Sequence, residues 1–302
     1  MSNPAQQALT EDIRTLPNAS AREFEIDLTE RLDRVSGVPE TLMDAMRYSL
    51  LAGGKRLRPF LVFSSCEICG GDRTMALAPA LAIECIHTFS LIHDDLPAID
   101  NDDMRRGRPS CHKQFGEAIA ILAGDALLAF AFEILSSDID DPWTMKSMIT
   151  ELSAASGATG LIGGEVADIE GESKPVSSET VASVHLSKTA RLIEAACVLG
   201  GLAARASDAQ LAALREYGRR LGLAFQGQDD LLDATGQSET MGKPTRRDQT
   251  AGKQTYVRAV GEDEARSLVR AEADKAVAAL APFGDAANAL ADLATYMIER
   301  DA

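Results

Sequence analysis

The chain is short of positive charge, cysteine, proline and long apolar runs, and each shortage excludes something. Its 302 residues carry 30 Lys and Arg against 46 Asp and Glu, a net charge of −16. So acidic a chain repels phosphate backbones at long range, which excludes sequence-independent nucleic-acid binding. Any phosphate ligand must be held by local contacts. The cysteines, Cys66, Cys69, Cys85, Cys111 and Cys197, are odd in number and lie in apolar stretches. That excludes a disulfide framework and fits reduced thiols in a cytoplasmic protein. Cys66 and Cys69 are spaced as CxxC, but without a second pair or a nearby histidine cluster they read as two buried helix residues, not zinc ligands. No run of about 18 apolar residues is evident, and the start MSNPAQQALTEDIR has neither a basic head nor an apolar stretch, so no membrane anchor and no export signal are expected. With 45% hydrophobic and 25% charged residues, disorder and collagen-like structure are excluded too. The length suits one large domain over 1–302, with about 1–20 expected to be a flexible lead.

Proline is placed as tellingly as it is rare. Helix interiors disfavour it, and the intervals between Pro109 and Pro142, Pro175 and Pro244, and Pro244 and Pro282 span 32, 68 and 37 residues. Each is rich in Ala, Leu and Glu with apolar residues at helical spacing, so the expected fold is all-α. Helices are expected near 20–35, 40–52, 59–69, 76–96, 116–136, 143–156, 178–204, 208–235, 263–280 and 284–298. Ser207 and Gln210 read as a capping box, Ser178-Glu179 as a helix start, and Pro39 and Pro79 as first-turn residues. Loops are expected at Gly53-Gly54, Pro97 to Ser110, Glu170 to Ser177 and Gly236 to Gly252.

Two aspartate clusters stand out. Gln226, Asp229, Asp230 and Asp233 are spaced to share one helical stripe, opposite Leu221, Phe225 and Leu232. Like charges stacked this way are mildly destabilising, a penalty that a hard cation removes. A solvated acidic face is the plainer reading of such a motif alone. The other cluster, Asp94, Asp95, Asp100, Asp102 and Asp103, falls at the C-terminal end of an apolar helix, where the helix dipole prefers cations. An EF-hand fails, because with Asp100 as first ligand the sixth position is Arg105 instead of Gly. Oxygen donors without a His or Cys cluster favour Mg²⁺, which binds through a few carboxylates plus substrate phosphates. The scarce basic residues are grouped as Gly53-Gly54-Lys55-Arg56-Leu57-Arg58-Pro59, Arg105-Arg106, Lys188-Thr189, and Lys243 with Lys253. Each group alone suits a helix end or a snorkelling side chain. Together they describe what binding two diphosphates requires.

The segments GGKRLRP, DDLPAIDNDDMRRGRP, KT and FQGQDDLLD, spaced as here, resemble the trans-isoprenyl diphosphate synthases, in particular the bacterial farnesyl diphosphate synthases, from about residue 30 to the C-terminus. The resemblance implies long, mostly antiparallel helices around a central cavity, a homodimer, and three Mg²⁺ ions with substrate bound. It further implies that Asp94, Asp100 and Asp229 hold the metal, and that Lys188, Thr189, Gln226 and Lys243 act on the allylic diphosphate. Arg105 is expected to contact the allylic substrate. Lys55, Arg58, His87 and Arg106 are expected to hold isopentenyl diphosphate, with Lys253 also among the substrate contacts. Phe89, five residues before Asp94, together with the two-residue-longer aspartate motif, implies a chain stopped at fifteen carbons; a geranylgeranyl product is the alternative. One departure is visible: Gly163-Gly164-Glu165 stands where the family usually reads Gly-Gly-Gln, with Asp168 following. A terpene cyclase would not need Lys55, Arg58 and Arg106, and an acidic helical scaffold would need none of these groups.

Overall fold

The computed structural model describes residues 21–172, 174–235 and 253–299. The flexible lead expected over 1–20, Lys243, and the expected loop at 236–252 lie outside the described residues. The described chain is helical almost throughout. The first helices are α1 (21–33), α2 (Glu40–Leu50), α3 (Leu57–Ile68) and α4 (Arg73–Asp94). A two-residue antiparallel ladder, β1 (Met104–Arg105) with β2 (Arg108–Pro109), precedes α5 (Cys111–Phe115), α6 (Glu117–Asp138), α7 (Pro142–Ser156) and α8 (Leu161–Gly171). Then α9 (Ser178–His185) runs through a π-helical turn at Leu186–Ala190 into α10 (Arg191–Ala203). The last helices are α11 (Asp208–Thr235), α12 (Tyr256–Val260), α13 (Glu262–Ala279) and α14 (Asn288–Glu299), with a 3₁₀ segment at Ala281–Ala287.

The all-α expectation holds, and its start signals hold with it. Gln210 Oε1 accepts from the Ser207 N–H at 3.0 Å while Ser207 Oγ accepts from the Gln210 N–H at 3.3 Å, a reciprocal capping box. Ser177 caps α9 by accepting from the Thr180 N–H at 3.2 Å. Pro79 is a correction. It lies inside α4, which starts earlier because Asp72 Oδ1 accepts from the N–H groups of Thr74 and Met75. The carbonyl that Pro79 leaves without its helical donor belongs to Met75, an exposed residue where water can serve. Helix α8 was not expected, and the last helix starts at Asn288, not near 284, because Gly284 at φ 56° breaks the helical path.

The chain forms two compact units, one from residues up to 60 and 77–145, the other from 61–76 and 146 onward. In the first, Phe24, Leu28, Met46, Leu50, Ile83, Ile86, Leu127 and Ile134 make the core. A buried ion pair lies within it. Arg56 Nη1 donates to Glu84 Oε1 at 2.6 Å, with both side chains 2% exposed, and Arg56 Nη2 donates to the Leu50 carbonyl. In the second unit α10 is buried all round, Leu192 through Ala203. Helix α11 approaches the chain just before it closely enough that a methyl group on Gly222 would strike the Ala190 backbone.

Two helices, α4 and α6, are long and apolar enough by composition to cross a membrane, which the search for uninterrupted runs did not anticipate. The apolar stretch of α4 is 72% buried by protein and that of α6 44%. Helix α6 keeps Ile121 and Leu122 at 44% and 53% exposure, an apolar face without a covering element among the described residues.

Candidate active site

In the first unit, the end of α4 folds back on itself through backbone bonds. The Asp100 N–H donates to the Asp94 carbonyl at 2.8 Å, the Asn101 N–H to Leu96, and the Asp102 N–H to Asp95 at 3.1 Å. The expected ligand residues Asp94 and Asp100 are thereby brought side by side, the first half-buried and the second exposed. The carboxylates between and after them behave differently. Asp95 is 2% exposed and takes both Nε and Nη2 of Arg105, with Nε at 3.0 and 3.2 Å from its two oxygens; Asp102, also buried, lies 3.6 Å from Arg105 Nη2. So five similar aspartates divide into an outer pair and an inner pair that grips Arg105, with the exposed Asp103 pairing Lys113 at 2.8 Å. Burial opposes the charge on Arg105, and Asp95, Asp102 and Asp94 outweigh it, holding the guanidinium above its ordinary range.

Close by in this unit, basic groups are held together against their mutual repulsion. Burial, then the charges of Arg58, Arg106, Arg105 and Arg56, push the pKa of His87 well below its usual value, so the ring is neutral at pH 7. Burial lowers Arg58 to about 10, Glu84 partly offsetting and Arg106 adding to the shift. Arg106 is lowered by burial as well. Among the described residues, the buried Nε of Arg58 has no hydrogen-bond partner. The Gly-Gly loop makes this crowding feasible. Gly53 and Gly54 sit at φ +77° and +128°, Arg106 Nη1 donates to the Gly53 carbonyl, and a side chain at position 54 would collide with the Arg106 guanidinium. Arg56, from the same basic run, adds its charge to this group while its guanidinium is bound by Glu84, Glu25 and the Leu50 carbonyl. Lys55 is exposed at the loop's edge.

Phe89, expected to limit chain length, is 3% exposed on α4 and meets the His93 ring edge-on at 5.8 Å. His93 Nε2 lies 3.1 Å from the Ile121 carbonyl, and Gly124 supplies the space for its ring.

The second unit holds the other expected residues. Lys188 lies in the π turn, where a fifth residue per turn displaces the neighbouring side chains from their α-helical directions. Its Nζ is 2.7 Å from Glu165 Oε2 and 2.7 Å from Asp168 Oδ2. Burial opposes the ammonium charge, and Asp168 and Glu165 outweigh it, holding Lys188 above its usual range. Gly164 lets α8 come this near, since a methyl group there would strike the Lys188 backbone. Thr189 Oγ1 donates to Gln226 Oε1 at 2.8 Å, which joins two more expected residues. Lys188, Thr189, Gln226 and Lys253 share an open cleft of about 420 Å³ with Asp168, His185 and Asp230.

The second aspartate stripe divides as the first does. Asp229 is half-buried, whereas Asp230 is 4% exposed, accepts from the Tyr256 N–H at 2.9 Å and lies 3.3 Å from His185 Nε2. His185 was missed from the sequence, although it stands three residues before Lys188. Burial depresses its pKa to about 4, Asp168 raising it and Lys188 lowering it. Glu165 and Asp168 were noticed as a departure in the pattern but not assigned to Lys188.

Residues 39–279 match the family model described as polyprenyl synthetase. The farnesyl diphosphate synthase of Escherichia coli (strain K12) is 46% identical over 268 residues, 86% of this chain and 89% of that protein. Geranylgeranyl pyrophosphate synthase 9 of Arabidopsis thaliana is 42% identical over 298 residues, 93% of this chain and 82% of that protein. Among solved structures, an FPP/GFPP synthase from Zymomonas mobilis superposes with a TM-score of 0.84 at 39% identity, covering 95% of this chain and 99% of that one.

Proposed function

Since the chain belongs to the polyprenyl synthetase family and is a prenyltransferase, we propose that it condenses isopentenyl diphosphate with dimethylallyl or geranyl diphosphate, in the presence of Mg²⁺, and releases farnesyl diphosphate. The observation that carries this reading is the crowd of Arg58, Arg105 and Arg106 around the neutral His87, cations whose mutual repulsion a bound diphosphate relieves. In an acidic chain such a crowd has little structural use.

Mg²⁺ suits the residue types: Asp94 and Asp100, whose backbones are joined by a hydrogen bond, offer carboxylate oxygens, and hard oxygen donors suit that ion. Asp94, Asp100 and Asp229 would hold it, as three ions with substrate bound. When bound, it supplies charge neutralisation for the departing diphosphate. The chain's own residues do the rest. Lys188, Thr189 and Gln226, with Lys243 and Lys253, hold the allylic diphosphate. Arg105, locked by Asp95, presents its guanidinium to the same substrate. Lys55, Arg58, the neutral His87 and Arg106 hold isopentenyl diphosphate, whose double bond attacks the ionised allylic carbon; the cation so formed loses a proton, which the released diphosphate takes up. Apolar side chains exclude the water that would quench the cation. No protein nucleophile takes part. Phe89 sets the limit on chain length. Geranylgeranyl diphosphate is the second product to consider, because a plant synthase of that product is about as similar as the bacterial farnesyl one.

A homodimer is part of the proposal, supported by the exposed apolar face of α6, and a cytoplasmic setting agrees with five free cysteines. The decisive assay incubates the protein with Mg²⁺, isopentenyl diphosphate and either allylic diphosphate, and sizes the products by mass spectrometry. Turnover that persists in excess EDTA would refute the metal requirement, and absence of any prenyl product would refute the reaction.

A further inference from the structure

Among the described residues, the cleft around Lys188 is lined by the carboxylates Asp168 and Asp230 and the ammonium groups of Lys188 and Lys253. Glu165 adds a third anion from α8, and it does so at close range. An ammonium group has three N–H donors. Two of those of Lys188 have their partners in Glu165 Oε2 and Asp168 Oδ2, both at 2.7 Å, with the two carboxylate side chains 12% and 10% exposed. The absence of a side chain at Gly164 lets α8 pack directly on the π-turn backbone, which sets Glu165 beside Lys188.

We propose that Glu165 is a positioning residue that tunes the hold on diphosphate: its charge, seated against Lys188, weakens the attraction of that lysine for an allylic diphosphate and hastens the exit of the elongated product. This rests on the prenyltransferase reading above. The physical basis is simple. A phosphate oxygen that takes the third Lys188 donor feels the Glu165 charge at about two contact distances. In partly solvated protein one unit charge at that range changes affinity by about tenfold. The product of each condensation is again an allylic diphosphate with the substrate's headgroup. Whatever loosens the headgroup therefore acts on the choice between leaving and being extended again.

The test compares the natural protein with Glu165→Gln, which keeps size and hydrogen bonding but removes the charge, and with Glu165→Asp, which keeps the charge. Calorimetry with inorganic pyrophosphate and Mg²⁺ should show binding about tenfold tighter in Glu165→Gln and little changed in Glu165→Asp. The KM for the allylic diphosphate should fall in step while that for isopentenyl diphosphate stays put. Steady-state kcat should drop relative to the single-turnover rate, as release slows. Pyrophosphate binding that is unchanged or weaker in a Glu165→Gln protein of normal Tm would overturn the proposal, because Glu165 would then merely steady Lys188. Should Glu165→Gln fail to fold, Glu165→Ser removes the same charge with a smaller side chain and is judged by the same criteria. A natural protein that makes no prenyl product would refute the proposed reaction, while the pyrophosphate comparison would still decide the role of Glu165.

Discussion

Replacing Phe89 by Ala separates a floor that limits the growing chain from an ordinary core residue. Phe89 stands five residues before Asp94 on α4, about 7.5 Å along the helix axis at 1.5 Å per residue, and its ring is 3% exposed. Removing the ring empties on the order of 100 Å³, worth about 2 kcal/mol at roughly 24 cal/mol per Å³, within a total of about 3–5 kcal/mol for a buried Phe→Ala. Collapse is limited here. The His93 ring that meets Phe89 edge-on is itself seated beside Gly124 and the Ile121 carbonyl, and a packed interior closes such gaps only in part. The void should therefore persist and admit a longer chain. The expected result is a Tm lowered by about 5–8 °C together with a shift of products from fifteen carbons to twenty or more, read by mass spectrometry. Adding a twenty-carbon diphosphate should restore part of the lost Tm, since a ligand that fills the void binds the folded state. A stable, active Phe89→Ala protein that still stops at fifteen carbons would refute the reasoning and hand the limit to another residue.

Substituting Asp94, Asp100 or Asp229 by Ala should cut kcat by orders of magnitude with little effect on Tm, because the first two lie at the surface end of α4 and the third is half-buried; variants that unfold yet keep full activity per folded molecule would make these carboxylates structural. Asp95→Ala should instead lower stability and activity together, since it removes the main partner of the half-buried Arg105 guanidinium and leaves only the longer contact to Asp102, and a purely kinetic effect would contradict the inner-pair assignment. Glu84→Ala removes the buried partner of Arg56, leaving it the half-exposed Glu25 at 3.3 Å and the Leu50 carbonyl, and should cost about 3 kcal/mol in urea unfolding; less than about 1 kcal/mol would mean that Glu25 and water take over the pairing. For pH, the sign follows from His185. Its folded pKa of about 4 lies below the ordinary 6.5 of a free imidazole, so the unfolded chain binds more protons between those values, and stability is present above pH 6.5 and lost as pH falls towards 4. Asp230, Tyr256, Asp168 and Lys188 face the ring, and His185→Gln should flatten the acid limb of a Tm-versus-pH curve. An unchanged limb would assign the acid sensitivity to His87 or to the carboxylates.

What the sequence revealed and what it hid follow from the range of the forces involved. Proline intervals and capping pairs are local, so α2, α6, α7 and α11 were legible to within a few residues. Helix α8 was not, because paired glycines disfavour helix; Gly164 is there for a tertiary reason, the approach of α8 to the Lys188 backbone, and Gly163 for a local one, the Ala158 carbonyl. Local propensity also could not place the π turn, since nothing in Leu186–Ala190 marks it. In the site, spacing picked out the aspartates as a group. It did not separate Asp94 and Asp100 from Asp95 and Asp102, or Asp229 from Asp230, because those pairs are chemically alike and differ only in the way they face after folding. Arg56 and Arg58 were indistinguishable for the same reason.

The wide turn between α9 and α10 works as a phase adjuster. A residue added without breaking the helix rotates everything beyond it by about 100° relative to an unbroken α-helix. The buried face of α9, with Val181, Val184 and His185, and the encircled α10 are both satisfied in one continuous run only because the count between them is what it is. Substitutions at half-exposed Ser187 leave that count alone. Loss or gain of one residue anywhere between His185 and Arg191 does not, and it would turn one helix out of register with its neighbours while leaving its composition almost untouched. The segment is thus forgiving of spelling and strict about length.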